Sequence, residues 1–305
     1  MELRQLESLV AIADGGSFSR AAVALNLAQP SLSRQIALLE KELGQRLLVR
    51  TGRGVALSVA GEAFIVHARE MLHSARRARD AMQDLSASPG GRMTVGLPPR
   101  VALGLSVPLI RGFRARFPRA VITVLEGLSL SLRESLVAGR LDLALLFDPL
   151  PSPQLAYEPL MRERLLLVAP PKSRLRPRVP LASLATFPMV LPNPPNAIRA
   201  LLDSVLGPRG VTLNVLAEVG AVQTVLALVR EGVGCTVLPE SALAMASADS
   251  ELPHAPIGPP AIWNKLVLAT PLARPGTQLS RETAKLLREM DFRHRLRGSA
   301  YSRRT

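Results

Sequence analysis

The chain has a single cysteine among 305 residues, so an intramolecular disulfide is excluded. Cys235 sits in the apolar run "GCTVLP", which reads as a buried, inert thiol rather than a redox sensor. Aromatic residues make up only 3% against 48% apolar residues, so any core must be aliphatic. No window approaches the roughly 18 uninterrupted apolar residues of a spanning helix. The opening "MELRQLESLVAIAD" carries Glu2, Arg4 and Glu7 and has no apolar centre of the kind a signal peptide needs. A soluble, cytoplasmic protein without membrane association is expected.

Catalytic signatures are missing too. There is no G-x-S-x-G elbow, P-loop, G-x-G-x-x-G or H-E-x-x-H. The four histidines, His67, His73, His254 and His294, are scattered. His67 and His73 share a helix but point about 120° apart, which does not suit a common metal and reads as solvated or seam-flanking. No catalytic residue, metal or cofactor is expected.

Acidic residues are also scarce, 24 against 38 basic ones, a net charge of +14. Such a surplus suits nucleic-acid phosphates. Its distribution weakens that shortcut. Residues 1–60 hold 7 basic and 5 acidic side chains, residues 61–92 hold 5 and 4, residues 93–290 hold 21 and 14, and the tail 291–305 holds 5 and 1.

What is present falls into three regions. Leu3, Leu6, Leu9, Val10 and Ala13 recur at helical spacing until "DGGS". Ser17 suits the N-cap of a second short helix, packed through Ala21, Ala22 and Leu25. Pro30 fits the first turn of a third, whose Leu32, Ile36, Leu39 and Leu43 form a stripe toward the first two. Two short helices joined by a tight turn, the second polar where it begins, match the helix-turn-helix plan. Gln29 suits an adenine edge, Arg34 guanine, Ser31 and Ser33 a phosphate or base, and Pro30 a thymine methyl. "RLLVRTGRGVALS" reads as a hairpin whose Arg50 and Arg53 can meet phosphates or a minor groove. The competing reading is an ordinary solvated three-helix domain.

A long helix is expected over 58–85, capped by Ser58, with Glu62 at the positive end of its dipole. Phe64, Ala68, Met71, Ala75, Ala78, Met82 and Leu85 keep a 4-3 spacing, a seam too narrow for a globular core and suited to the same helix of a second subunit. "SASPGGR" then reads as a linker. From Met93, short apolar runs such as "MTVGL", "VITVLE" and "LDLALLF" alternate with helical stretches, which argues for a mostly parallel sheet or two, built as two α/β lobes.

The stretch from "FSRAAVALNLAQPSLSRQIALLEKELGQRLLVRTGRGVALS" into "VAGEAF" resembles the winged helix-turn-helix of the LysR-type transcriptional regulators. The long helix is similar to their dimerising linker helix. "FRARFPRAVITVLEGLSLSLRESLVAGRLDLALL" and "ALVREGVGCTVLP" resemble the two lobes of their effector domain. "VGLPPRVALGLSVPLIRGFRARFPRA" also looks like the subgroup that includes the nitrogen assimilation control regulators.

The resemblance implies an α/β protein with an N-terminal all-α winged helix-turn-helix domain (1–57), a dimerisation helix (58–88) and a hinge (89–92). A periplasmic-binding-protein-like domain (93–295) follows, with lobe one at 93–161 and 266–295 and lobe two at 162–265. The basic tail 296–305 is expected to be disordered. Implied partners are double-stranded promoter DNA, a small-molecule inducer such as an organic anion, further copies in a homodimer or homotetramer, and RNA polymerase. DNA contacts would fall on Gln29, Pro30, Ser31, Ser33, Arg34, Arg50 and Arg53. Ala28 departs from the serine that many members use to cap the recognition helix.

Inducer contacts would fall on Pro99, Arg100, Gly127, Ser129, Phe147, Asp148, Asn193, Asn196, Gln223 and Thr224. Here Pro98 and Pro99 replace the hydroxyl residues common after the first strand, and two backbone donors go with them. Arg100 could substitute as an anion ligand or be merely solvated, and a regulator acting without an inducer stays open. Rivals outside the class are a small-molecule binding protein whose N-terminal helices only mediate assembly, and an enzyme on the α/β scaffold.

Overall fold

The computed structural model describes residues 1–52, 54–83, 90–243, 252–272 and 276–296, the side chains of residues 77, 80, 81 and 83 excepted. Arg53, Leu85 and residues 297–305 lie outside the described residues. The chain divides into two compact units, Met1–Pro89 with Ala138–Arg140, and Gly90–Val137 with Leu141–Thr305.

The first unit runs α1 (Leu3–Gly15), α2 (Phe18–Leu25), α3 (Gln29–Leu43), β1 (Leu48–Thr51), β2 (Gly54–Leu57) and α4 (Val59–Gln83). Gly16 and Asn26 end the first two helices in left-handed conformations, with φ of 62° and 51°. Pro30 lies in the first turn of α3, where its missing N–H breaks no helical bond. Leu6, Leu9, Ile12, Leu32, Ile36 and Leu39 form an aliphatic core among the three helices. Each such side chain contributes about 1.5–3 kcal/mol on burial. One detail differs from expectation: Ser17 occupies the N-cap of α2 on extended backbone, but its hydroxyl makes no capping bond.

β1 and β2 pair antiparallel from Leu48↔Leu57 to Thr51↔Gly54. Ser58 caps α4 by accepting from the Gly61 amide at 3.0 Å, and it donates to the Arg46 carbonyl at 2.5 Å. Gly61 is required there, since a Cβ would sit 2.0 Å from the Leu47 carbonyl oxygen.

The seam of α4 needs correction. Ala68 is fully buried in the core of its own unit, and Phe64 and Met71 pack partly against that core. Ile65 and Leu72, which lie off the 4-3 seam, join them and widen the apolar face enough to pack on α1. The seam changes character further along. Ala75 is half-buried, whereas Ala78 and Met82 are exposed. His73 is buried rather than solvated.

The second unit opens with β3 (Gly91–Leu97), α5 (Pro99–Arg116), β4 (Ala120–Glu126), α6 (Ser129–Val137) and β5 (Leu143–Phe147). It continues through β6 (Leu155–Val168), β7 (Pro188–Pro192), α7 (Ala197–Leu206), β8 (Asn214–Val219), α8 (Val222–Arg230), β9 (Thr236–Pro239) and α9 (Glu240–Leu243). β10 (His254–Pro256), β11 (Trp263–Pro271), α10 (Gln278–Arg288) and α11 (Phe292–Leu296) complete the described strands and α-helices.

The main sheet has the order β10-β6-β11-β5-β3-β4, with β9 also on β6. β3 is parallel to β4 and β5, while β11 is antiparallel to β5 and β6. The sheet is therefore mixed, not mostly parallel. The reason is the chain's return through β11, which enters between β5 and β6 in the opposite sense. β6 is one continuous strand that pairs with β11 over Leu155–Arg164 and with β9 and β10 beyond. The parallel pair β7-β8 sits over a second aliphatic core built on Leu165, Leu167, Leu191, Leu202, Val229 and Val237. Two cores joined by crossing strands make a two-lobed α/β unit. Cys235 lies in the second core, and burial pushes its thiol pKa up, as an inert role requires.

Candidate functional site

α3 places its stripe inward and its opening polar residues outward by helical geometry alone. Gln29, Pro30, Ser31, Ser33 and Arg34 are all exposed, while Leu32 between them is fully buried. Ala28, at the N-cap, has no side chain to cap with. Ser19 of α2 donates to the Gln29 Oε1 at 3.2 Å and steadies that side chain across the turn. The Gln35 side chain accepts from the buried Ser8 hydroxyl and pins α3 to α1. Glu40 accepts from the Leu47 and Leu48 amides at 2.7 and 3.1 Å, which ties the hairpin to the end of α3. Arg50 on β1 is exposed. Rigid supports thus hold an exposed row of donors and acceptors. Ser8, Ser19 and Glu40 went unnoticed in the sequence because each acts through a partner on another element.

The expected inducer residues divide into three groups in the second unit. Pro99 and Arg100 begin α5, Ser129 begins α6, and Gln223 and Thr224 lie in the first turn of α8. Gln223, Thr224 and Asn193 are exposed and free to meet a ligand. Gly127 precedes α6 and is half-buried. Ser129 and Asn196 are already engaged. The Ser129 hydroxyl accepts from the Phe147 amide at 2.8 Å, and the Asn196 Oδ1 caps α7 by accepting from the Ile198 amide at 2.9 Å.

Arg100 forms the third group, and both expectations for it fail. It is neither solvated nor open to a ligand, being only 8% exposed. It donates to the Glu163 Oε1 at 2.6 Å, to the Ser241 hydroxyl, and to the Asn264 Oδ1 at 3.2 Å. Its guanidinium lies 4.4 Å from the Phe147 ring centroid. Ser241 also bonds Glu163, through its hydroxyl at 3.0 Å and its amide at 3.2 Å. The network ends at Asp148, whose Oδ2 accepts from the Asn264 Nδ2 at 2.6 Å. Burial raises the Asp148 pKa, and the bonds from Asn264 and the Lys265 amide oppose that rise. Arg100 comes from α5, Glu163 from β6, Asn264 from β11 and Ser241 from α9, so the network binds the two lobes at their junction. Glu163 and Asn264 face each other across β6 and β11. Their neighbours Arg162 and Arg164 stack on Trp263, at 4.7 and 5.0 Å.

Comparison with known proteins decides between the classes this geometry allows. Residues 3–62 match the model described as bacterial regulatory helix-turn-helix protein, lysR family, and residues 86–291 match the LysR substrate binding domain. The chain belongs to the LysR family of transcriptional regulators. It is 35% identical to the nitrogen assimilation regulatory protein nac of Klebsiella aerogenes, over 79% of each chain. It is 32% identical to the regulator BbuR of Bordetella bronchiseptica, over 79% of this chain and 75% of that one. A full-length OxyR variant of Pseudomonas aeruginosa shares the fold with a TM-score of 0.75, at 22% identity over 96% of both chains. CbnR in complex with its target DNA shares it at 0.65 and 23% identity, over 94% of this chain and 99% of that one.

As a LysR-family member the chain is a DNA-binding transcriptional regulator with a substrate-binding domain, and the family is one of regulators rather than enzymes. Among the described residues, no helix is long and apolar enough to cross a membrane.

Proposed function

We propose that this regulator reads promoter DNA with the start of α3 and tunes its response through the cleft between the two lobes. The observation that carries the reading is the exposed row from Gln29 to Arg34 on a helix-turn-helix core that is closed behind it. Gln29 pairs with an adenine edge, Arg34 takes guanine O6 and N7, and Ser31 and Ser33 bond a base or phosphate. Pro30 meets a thymine methyl, and Arg50 holds the backbone together with Arg53, which lies outside the described residues. Subunits pair through the later part of α4, from Ala75 through Ala78 and Met82 toward Leu85, and the effector domains extend the dimer to a tetramer. The functional partition follows the boundaries expected from the sequence, from the DNA-reading domain at 1–57 to the two lobes within 93–295. The protein works in the cytoplasm, alongside RNA polymerase.

In the inducible reading, a small metabolite enters between the lobes and meets Asn193, Gln223 and Thr224. Such a ligand acts only through different affinity for two lobe arrangements. The Arg100 network favours a second reading, action without an inducer. An anion could reach Arg100 only by displacing Glu163 from a buried ion pair.

Genome-wide mapping of bound DNA tests the assignment. Enriched sites sharing a pseudo-palindrome with half-sites about one helical turn apart are expected. A profile indistinguishable from random genomic DNA would overturn it.

A further inference from the structure

The helix-turn-helix and its hairpin account for little of the molecule's charge. Residues 1–60 hold 7 basic and 5 acidic side chains, a surplus of only +2 within a total of +14. Between Glu163 and Asp203 the chain has no acidic residue and six basic ones. Four of those six, Lys172, Arg174, Arg176 and Arg178, alternate along the loop "PPKSRLRPRVP" that follows β6.

The loop is built to hold these cations out. Pro170 accepts from the Ser173 amide at 3.2 Å and closes a turn in which Lys172 takes a left-handed φ of 68°. Leu175 packs against the core of lobe two, and Val179 is buried in it. Val179 is fixed by hydrogen bonds to the Pro256 carbonyl at 3.0 Å and from the Gly258 amide at 2.9 Å. With Leu175 and Val179 turned inward, all four cations are exposed, and none has an ion-pair or hydrogen-bond partner among the described residues. Lys172 lies in the turn and Arg178 in a bend, with Arg174 and Arg176 between them, so the four cations are crowded within one short loop. The result is a cluster of positive charge on a fixed support.

We propose that Lys172, Arg174, Arg176 and Arg178 form a second DNA-binding surface, which takes the phosphate backbone of duplex outside the bases read by α3. The proposal rests on the DNA-binding assignment, since duplex DNA is the polyanion this regulator meets. Each exposed cation that neutralises a phosphate releases counterions condensed on the duplex, and each such contact adds about 0.9 to the salt slope of log K. The loop adds attraction without sequence preference and makes up for the nearly neutral reading head.

The test compares full-length protein with a variant carrying glutamine at all four positions, checked for unchanged circular dichroism. A control removes four exposed cations elsewhere: Arg111, Arg114, Lys285 and Arg293. Binding is measured from low to moderate salt on a duplex that extends about two helical turns, roughly 70 Å, beyond the mapped site on each side. The loop variant should lose between about 1 and 3.6 from the salt slope. Its preference for the site over random duplex should stay the same, and the control should lose clearly less slope. Replacing the three arginines by lysine should keep the slope, because a phosphate contact needs charge rather than the guanidinium fork.

An unchanged slope in the glutamine variant would overturn the proposal. An equal loss in the control would also overturn it, by assigning the effect to net charge alone. Loss of binding to a polyglutamate probe with an unchanged DNA slope would transfer the loop to an acidic protein partner. If the wild-type protein bound no duplex at any salt, the DNA-binding assignment itself would fall, and the loop's role with it.

Discussion

Arg100 and Glu163 are 8% and 10% exposed in their side chains, too deep for either charge to be left alone. Removing one partner of a buried pair costs about 3–5 kcal/mol, much of it from the charge left behind. Glu163→Gln keeps the shape and removes the counter-charge from Arg100. A loss of about 3 kcal/mol would lower the melting temperature of a unit this size by roughly 6–12 °C, measurable by calorimetry. An unchanged transition would mean that hydrogen bonds to Asn264 and Ser241 and the Phe147 ring stabilise the buried Arg100 charge without a counter-ion. At this scale the sequence was only partly legible. The exposed set Gln29, Pro30, Ser31, Ser33 and Arg34 could be read because helical periodicity alone turns it away from Leu32 and Ile36. Arg100 could not, since its partners lie 63, 141 and 164 positions away and no local pattern brings them together.

At the scale of elements, hydrophobic periodicity identified the helix-turn-helix, the hairpin and most strands of the two lobes. It failed on α4, where one helix offers two apolar rows. The 4-3 spacing on α4 is real, but Ile65 and Leu72 beside it add a second apolar row, and the first half of the helix packs within its own unit. Spacing could not show this, because the same leucines and alanines serve a seam or a core. Nor did it reveal that β6 begins at Leu155, where Glu158, Arg162 and Glu163 interrupt the apolar run. The later part of α4 remains the exposed part of the seam. Met82 is 66% exposed, so a charge there disturbs little within one subunit. Met82→Asp is expected to weaken self-association, seen by light scattering as a shift toward the monomer at micromolar concentration, with the monomer's melting unchanged. A dimer that persists unaltered would place the interface elsewhere.

Over the whole molecule, the division of labour follows the distribution of charge and hydrogen bonds. The reading head carries exposed amide, hydroxyl and guanidinium groups and little net charge, whereas most of the positive surplus lies beyond residue 92. In the proposed function, hydrogen-bond readout supplies discrimination, while attraction to phosphates can come from elsewhere on the chain. The lobes, joined by β6, β11 and the Arg100 network, form the part that senses or stabilises a state. The measurement closest to the core of this scheme is the ratio of affinities for a mapped site and for random duplex, at fixed salt, in the wild type and in Arg34→Ala. Loss of a bidentate guanine contact should reduce that ratio by about 1–3 kcal/mol, roughly 5- to 150-fold, with self-association intact. An unchanged ratio in a folded, associated variant would contradict base reading by Arg34 and the placement of α3 in the major groove.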